Sequence, residues 1–298
     1  AGAADTIVLV DDGSTDDTVA VARKLGIACV SHAKNLGYGA AQAIAAGGSA
    51  AQREAWLPAL LSGETIAAHV PADDLVAEGD RLTGSCSFVV HGSAAQLLLV
   101  NGAGGSWLVR ADAPGVTVTA QTTMDQTRPY ARVTLAGAEG EPLADPQAGS
   151  KAATEAGMVV LAAEGLGLAQ AALSRTVAYA RDRVQFGRAI GSFQAYKHRL
   201  ADMMVEIEQA RSAVYWAACA VEEGSDEAAL ALRAAKCFCA DTAFRCAGDM
   251  IQLHGGIGFT WEHDAHLFFK RARALQTLMG KNDWHREKIA AMVLGETA

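Results

Sequence analysis

Three segments of the chain hold residue types whose spacing could support chemistry. Asp11 and Asp12 follow an apolar run and precede G-S-T, and carboxylates at the end of a parallel strand can hold a nucleotide's ribose or uracil, or a metal ion. The segment R-V-Q-F-G begins at Arg183, whose guanidinium fork suits a pyrophosphate. The segment Q-L-H-G-G-I-G-F begins at Gln252, and its glycines allow a flat ligand to approach the backbone closely.

Each segment also has an ordinary structural explanation, and local chemistry alone leaves both open. The first is a strand-to-helix turn rich in capping residues, the second a charged loop between helices, and the third a helix C-cap followed by a turn. His263 and His266 could place two metal ligands on one helix face. Because no third ligand is evident, they indicate the start of a helix instead.

Three compositional zones must position these segments. Residues 1–41 predict a short β-α-β leader, with strands at 6–10 and 27–30 and a helix through Val19, Val21 and Leu25. Residues 65–148 alternate apolar and polar residues between turn signals, which predicts an antiparallel β middle domain. Residues 149–298 show helical spacing and no proline after Lys151, which predicts a C-terminal antiparallel α-helical bundle. The predicted fold class is therefore α+β.

The overall composition argues against several classes of protein. The 298 residues carry a net charge of −8, are 51% hydrophobic and have a mean hydropathy of +0.13, which excludes general disorder. The acidic balance argues against a nucleic-acid partner. Charges interrupt the apolar runs and no secretory signal opens the chain, so we expect a cytoplasmic protein without a membrane span. The six cysteines lack zinc or disulfide spacing and are predicted to be reduced.

The leader resembles a known enzyme family. The run VLVDDGSTDDTVAVARKLG, followed by N-L-G-Y-G-A-A from Asn35, is similar to the family-2 glycosyltransferases with a GT-A fold. The resemblance implies that Asp11 and Asp12 contact the nucleotide of a sugar donor. It covers only about the first forty residues, and the family's D-x-D metal motif and acceptor-site acid are absent.

The remainder of the chain resembles a second family, the acyl-CoA dehydrogenases. The pattern R-x-Q-F-G-x-x-I-G-x-F-Q begins at Arg183, and Q-x-x-G-G-x-G-F follows from Gln252. The likeness runs from about Gly47 to the end. It implies that residues 42–64 are the remnant of the family's N-terminal helical domain, most of which is missing, and that residues 65–148 and 149–298 are its middle domain and bundle.

This resemblance implies a cofactor, a substrate and partners. Members bind FAD at a subunit interface, oxidise acyl-CoA thioesters to 2-enoyl-CoA, and pass electrons to an acceptor protein. By position, Arg183 and Gln194 would hold the diphosphate and adenosine of the FAD of a neighbouring subunit. Gln252, Gly255 and Gly256 would contact the same cofactor. The bundle would then form a homo- or hetero-oligomer.

The flavin loops of the middle domain depart from the family pattern. Residues Ala68–Asp74 stand where the family has T-E-x-x-x-G-S-D, and the threonine, the first glutamate and the Gly-Ser pair are absent. Residues Ser87–Val89 replace its W-x-T element. Both changes leave fewer donors and less aromatic surface for the flavin ring.

The catalytic base is also missing by position. The family places a glutamate near the C-terminus, where this chain has Met279, or on the first bundle helix, where it has Gly157. Neither residue accepts a proton. Glu155 and Glu164 lie nearby in the sequence, and we interpret both as solvated helix acids that point away from Gly157.

Three hypotheses follow from these observations. The first is an FAD-binding acyl-CoA dehydrogenase-like subunit, without a base of its own, that works as the partner of an active subunit. The second is an inactive fusion that still oligomerises but binds no flavin. The third is a nucleotide-sugar enzyme or binder acting through Asp11 and Asp12.

Overall fold

The computed structural model describes the backbone of residues 8–11 and 28–31 and, with side chains, residues 38–102 and 105–295. These described residues divide into two compact units. The first contains those up to Thr123 together with Arg128–Ala156, and the second contains Met124–Thr127 and those from Gly157 onward. Each unit has its own buried apolar clusters, and each is described by itself.

Two short strands represent the predicted leader. Strands β1 (Val8–Asp11) and β2 (Ala28–Ser31) pair in parallel. A parallel pair needs a crossover connection, which agrees with the predicted β-α-β order. The predicted helix between the strands, Asp12 and the side chain of Asp11 lie outside the described residues.

Two helices open the fully described part of the first unit. Helix α1 spans Tyr38–Gly47 and helix α2 spans Ala50–Ser62. Helix α2 begins at a capping box, in which the Ser49 hydroxyl accepts from the Gln52 backbone amide and the Gln52 carboxamide oxygen accepts from the Ser49 amide. The Gln52 side-chain amide also donates to the Glu141 carboxylate at 2.8 Å, so the start of α2 is tied to the end of the β region.

Two four-stranded sheets follow. The strands are β3 (Ala67–Pro71), β4 (Val76–Glu78), β5 (Arg81–Val90), β6 (Leu97–Gly102), β7 (Gly105–Arg110), β8 (Val116–Gln121), β9 (Tyr130–Glu139) and β10 (Glu141–Pro142). One sheet has the order β10-β7-β6-β3 and the other β4-β5-β9-β8. All neighbours pair antiparallel, as predicted, except β3 and β6. These two run parallel because β4 and β5, which separate them in the chain, belong to the other sheet.

Strands β3 and β6 are buried on both faces. Val70 and Val100 face the cluster between the two sheets, whereas Leu97 and Leu99 face a second cluster with Ile44 of α1. Burial on both sides explains why β6 reads as a continuous apolar run rather than an alternating one.

The second unit is built from long helices, as predicted. Helix α3 (Pro146–Asp182) begins in the first unit and continues into the second, and it is followed by α4 (Gln194–Glu222), α5 (Ala228–His254), α6 (Ala265–Leu275) and α7 (Asn282–Leu294). A two-stranded hairpin of β11 (Val184–Gln185) and β12 (Arg188–Ala189) separates α3 from α4.

Helix α3 corrects one expectation from the sequence. We expected no segment apolar and long enough to cross a membrane, but α3 contains an 18-residue window of mean hydropathy 1.6, of which 28% is buried. The mean hydropathy of this window is high because alanine, glycine and leucine dominate it. One such helix is weak evidence for a membrane span, since a core helix passes the same test, and Ala162, Ala169 and Ala172 of α3 are buried among other helices.

Candidate functional site

An open pocket of about 560 Å³ lies beside the β11–β12 hairpin. We name it the hairpin pocket; it is lined by Tyr179, Arg183, Gln185, Phe186, Ile190, Phe193, Tyr196, His254, Gly255, Gly256, Ile257 and His263. All of these residues belong to the second unit. The pocket therefore joins two of the segments singled out in the sequence, which lie far apart in the chain.

The hairpin positions Arg183 at the mouth of this pocket. Its turn is tight because Phe186 and Gly187 both have left-handed backbone conformations, with φ of 57° and 77°. The backbone amide of Arg183 donates to Tyr179 at 2.9 Å, and its carbonyl accepts from Ile190 at 2.9 Å. Arg183 is exposed and lines the pocket, so its side chain can reach an anion bound there.

Two of the three glycines after α5, Gly255 and Gly256, also line the pocket. Gly255 has φ 65°, and a Cβ added at Gly255 or at Gly256 would meet no atom within 4 Å. A Cβ at Gly258, in contrast, would lie 2.6 Å from the Ile251 carbonyl oxygen. The first two glycines thus allow close approach to the backbone, whereas the third is required by packing.

A ladder of aromatic and imidazole rings forms the inner wall, which the sequence analysis missed. The ring of His254 stacks on Tyr179 with centroids 4.4 Å apart, and His263 lies 4.5 Å from it on another side. His254 Nδ1 is 2.7 Å from the Met250 carbonyl oxygen, and burial lowers the pKa of His254. Tyr196 donates to the Leu253 carbonyl at 2.7 Å. Only the histidine inside Q-L-H-G-G could have signalled this wall.

Two predicted cofactor residues do not line the pocket. Gln194 is the first residue of α4, and Gln252 lies in the last turn of α5; both are exposed. Each lies within three residues of a lining residue. The structure therefore brings together Arg183, Gly255 and Gly256, and leaves the two glutamines at its margin.

Outside the pocket, Gly157 of α3 and Met279 are in direct contact. A Cβ added at Gly157 would lie 2.6 Å from Met279 Sδ and 2.9 Å from its Cε. The thioether therefore rests directly on the Gly157 backbone, where a side chain from α3 would otherwise lie.

Comparisons with known proteins agree with this arrangement. A family model described as acyl-CoA dehydrogenase, C-terminal domain, matches residues 151–294. The chain is 37% identical over 246 residues to acyl-CoA dehydrogenase IpdE2 of Mycolicibacterium smegmatis, covering 76% of this chain and 71% of that protein. The chain belongs to the acyl-CoA dehydrogenase family. It is also 42% identical over 224 residues to IpdE2 of Mycobacterium tuberculosis, of which it spans only 61%.

Solved structures support the same family. Butyryl-CoA dehydrogenase from Megasphaera elsdenii is 26% identical, with a TM-score of 0.78 over 87% of this chain and 78% of that one. The Tcur3481-Tcur3483 steroid ACAD is 29% identical, with a TM-score of 0.80 over 88% of this chain and 77% of that one. A second family model, glycosyl transferase family 2, matches residues 2–56, a range that includes α1 and the first half of α2.

The sequence analysis placed the family's two alternative base positions at Gly157 and Met279, and this alignment stays a prediction. The structure brings both positions into contact, so a carboxylate from either would enter the same space. A thioether occupies that space here. The absence of a catalytic base at both positions stays a prediction from the sequence.

The interpretation of Glu164 as a solvated acid pointing away from Gly157 was wrong. Seven residues at about 100° each return it to within about 20° of Gly157 on the helix. Its carboxylate pairs with Arg271 Nε of α6 at 2.5 Å and is only 22% exposed. Glu155 is likewise shielded, at 19% exposure, and pairs with Lys151 at 2.9 Å.

The flavin-loop segments of the first unit have partners of their own. Ala68 and Ala72 are buried in the core between the sheets. Burial lowers the pKa of His69 to about 4. The Asp74 carboxylate accepts from the Ser85 backbone amide at 2.9 Å. His69 Nε2 is the exception, since it is buried without a hydrogen-bond partner among the described residues. The loss of donors for the flavin ring stays a prediction from the sequence.

The remaining sequence predictions concern metals, cysteines and the leader. Among the described residues, no group of three potential ligands could hold a metal ion, and His263 and His266 flank the start of α6. The five cysteines whose side chains the structure describes are free thiols. The proposed nucleotide-sugar contacts of Asp11 and Asp12 lie outside the described side chains.

Proposed function

We propose that this chain is an FAD-binding acyl-CoA dehydrogenase-type subunit that contributes the hairpin pocket to the cofactor site. The observation that carries the proposal is the convergence of Arg183, Gly255 and Gly256 on one pocket of about 560 Å³. An exposed guanidinium, an unobstructed glycine backbone and flat ring walls match the diphosphate and the aromatic parts of a dinucleotide. The residues that line the hairpin pocket therefore fit FAD.

Within this site, each group has a distinct task. The Arg183 guanidinium donates to diphosphate oxygens, and Gly255 and Gly256 admit the cofactor because no side chain stands in its way. When bound, FAD supplies the acceptor for the hydride that leaves the β-carbon of an acyl thioester. Removal of the α-proton requires a general base, and the resemblance places Met279 and Gly157 at the two positions where the family has its carboxylate.

The missing base favours a role beside another subunit. We infer that the chain completes the cofactor site of a partner acyl-CoA dehydrogenase subunit, which would bind the acyl-CoA and supply the base. Exposed apolar side chains next to the pocket support a protein neighbour there: Phe186, Phe259 and Trp261 are 90%, 87% and 76% exposed. Electrons would then pass to an electron-transferring flavoprotein, and the assembly would work in the cytoplasm.

Cofactor binding tests the proposal directly. The purified chain, alone and with a candidate partner subunit, is titrated with FAD and followed by flavin absorbance and fluorescence. We expect stoichiometric binding in at least one state, and a loss of about tenfold or more in affinity for Arg183→Ala, since a charged hydrogen bond contributes about 1.5–3 kcal/mol. Arg181→Ala is the matched control, because Arg181 is exposed in the last turn of α3, two residues before Arg183, but does not line the pocket. A protein indifferent to FAD in both states would instead be the inactive fusion.

The leader supports a second candidate function. The glycosyl transferase family 2 model matches residues 2–56. Asp11 is the last residue of the parallel strand β1, and Asp12 follows it in the sequence. We propose nucleotide-sugar binding through these carboxylates as the alternative. Calorimetric titration with a UDP-sugar tests it: heat of binding that disappears in Asp12→Asn supports the alternative, and no heat in the full chain rejects it.

A further inference from the structure

The turn that carries Met279 has a strained backbone. It joins α6 to α7, and Met279 and Gly280 have φ of 52° and 102°. A methionine rarely adopts this left-handed conformation, because its Cβ crowds the neighbouring carbonyl oxygen. Such a turn persists only where tertiary contacts hold it in place.

Two buried basic side chains provide those contacts. Lys236 of α5 is 1% exposed, and its Nζ donates to the Gly280 carbonyl at 2.6 Å, the Gln276 carbonyl at 3.3 Å and Asn282 Oδ1 at 2.8 Å. His285 of α7 is fully buried, and its Nε2 lies 2.8 Å from the Met279 carbonyl oxygen. Both consecutive carbonyls of the turn are therefore bound from the core.

The geometry fixes the protonation state of His285. The Met279 carbonyl can only accept, so Nε2 carries the hydrogen. Arg233 Nη1, 3.0 Å from Nδ1, can only donate, so Nδ1 is unprotonated. The imidazole is neutral, and burial lowers its pKa below the ordinary value of 6.5.

The charges that face His285 oppose its protonation. Arg233 and Lys236 approach it from α5, and both act to lower its pKa. The Asp241 carboxylate on the same helix is engaged by Arg286 and by the Asn282 side chain. A proton on Nδ1 would replace the Arg233 hydrogen bond by repulsion between two cations. The bond from Nε2 to the Met279 carbonyl survives protonation and acts to raise the pKa of His285. Protonation therefore releases the turn only by driving the charged ring, which lies beside Arg233 and Lys236, out of the core.

We propose that His285 and Lys236 are positioning residues that hold Met279 over Gly157, and that protonation of His285 releases this turn. The held turn keeps the Met279 thioether in the space beside Gly157. A carboxylate base is therefore absent, and the space that it would need is also filled. That a base would lie in this space rests on the proposed function, but the contact and its release are properties of this chain alone.

Oxidation of methionine by peroxide measures the release without flavin or substrate. The full-length chain is treated briefly at several values between pH 7.5 and 5, and sulfoxide is located by peptide mass spectrometry. Met204, which is 58% exposed, and Met250, which is fully buried, are internal references. Met279 is partly buried, so we expect it to be oxidised more slowly than Met204 at pH 7.5. Its oxidation rate, relative to Met204, should rise by up to about tenfold per pH unit below the ordinary histidine pKa.

Three variants separate positioning from a merely structural role. His285→Gln keeps one donor and one acceptor but cannot become charged, so Met279 should stay protected at every pH. Lys236→Met should raise oxidation of Met279 already at pH 7.5. His266→Gln, at another histidine of the second unit, should leave the profile unchanged.

Two outcomes would overturn the inference: a Met279 oxidation rate that does not change with pH, or a pH dependence that survives in His285→Gln. Continued protection of Met250 establishes that each variant is folded. If Lys236→Met unfolds, the wild-type and His285→Gln profiles still decide the question. A chain that shows the profile but binds no FAD would retain this inference and lose the proposed function, so the two failures are distinguishable.

Discussion

Met279 fills the space that the absent side chain of Gly157 leaves on α3. The two residues contact each other because the turn before α7 reaches back onto the helix that opens the bundle. Since a protein interior is closely packed, neither position can change in size without a response from the other. The pair is therefore a single steric unit, and its two members should not behave independently.

A double-mutant cycle tests this unit. Gly157→Ala adds a Cβ 2.6 Å from Met279 Sδ, so it should be less favourable in the wild-type background than in Met279→Ala. We expect a coupling free energy of about 1–2 kcal/mol, measured by urea unfolding.

Gly167→Ala provides the control for this cycle. Gly167 lies on the same helix, where an added Cβ would meet no atom within 4 Å. It should gain about 0.5–1 kcal/mol from helix propensity in both backgrounds. Additivity at Gly157 as well as at Gly167 would contradict the shared space.

At the scale of secondary structure, helix α2 shows how a local signal and a long-range contact cooperate. The Ser49–Gln52 capping box satisfies two backbone amides at the start of the helix, and the Gln52 carboxamide then reaches β10, where it donates to Glu141 and Pro142. The capping box can be predicted from the sequence, where it has the pattern S-x-x-Q. The contact with β10 depends on the return of the chain after 89 residues.

Removal of the cap should weaken the first unit. Ser49→Ala deletes the acceptor for the Gln52 amide, and we expect a loss of about 1 kcal/mol in the free energy of unfolding. Ser62→Ala, at the other end of α2, removes an exposed hydroxyl that donates to the Ala59 carbonyl and accepts from the Glu64 amide at 3.4 Å, and it should change stability by less than about 0.5 kcal/mol. Equal effects of the two substitutions in urea titrations would argue against the cap.

At the scale of the molecule, the exposed apolar side chains near the hairpin pocket contrast with the net negative charge of the chain. Phe186, Phe259 and Trp261 belong to the hairpin and to the segment after α5. Isolated apolar side chains are common on protein surfaces, but large neighbouring ones beside a pocket mark an interaction site. We therefore expect this surface to be covered when the chain is assembled.

Polar substitutions on this surface should reduce assembly without loss of fold. The double substitution Phe186→Ser and Phe259→Ser should lower the sedimentation-derived mass of the chain, alone or mixed with a partner subunit, because apolar burial would be lost. Its unfolding free energy should change by less than about 0.5 kcal/mol, since both residues are exposed. Leu61→Ser, 63% exposed in the first unit, is the control, and a reduction of assembly by this variant instead would relocate the interface.

The sequence by itself determined the α+β class, the order of leader, β region and bundle, and the three pocket residues Arg183, Gly255 and Gly256. These follow from periodicity, turn residues and spaced motifs, which are local properties of the chain. Tertiary structure alone decided the ring wall of Tyr179, His254 and His263, the pairing of Glu164 with Arg271, and the contact of Met279 with Gly157. These contacts join helices that are distant in the chain, and helix packing rather than any local preference selects which side chains meet.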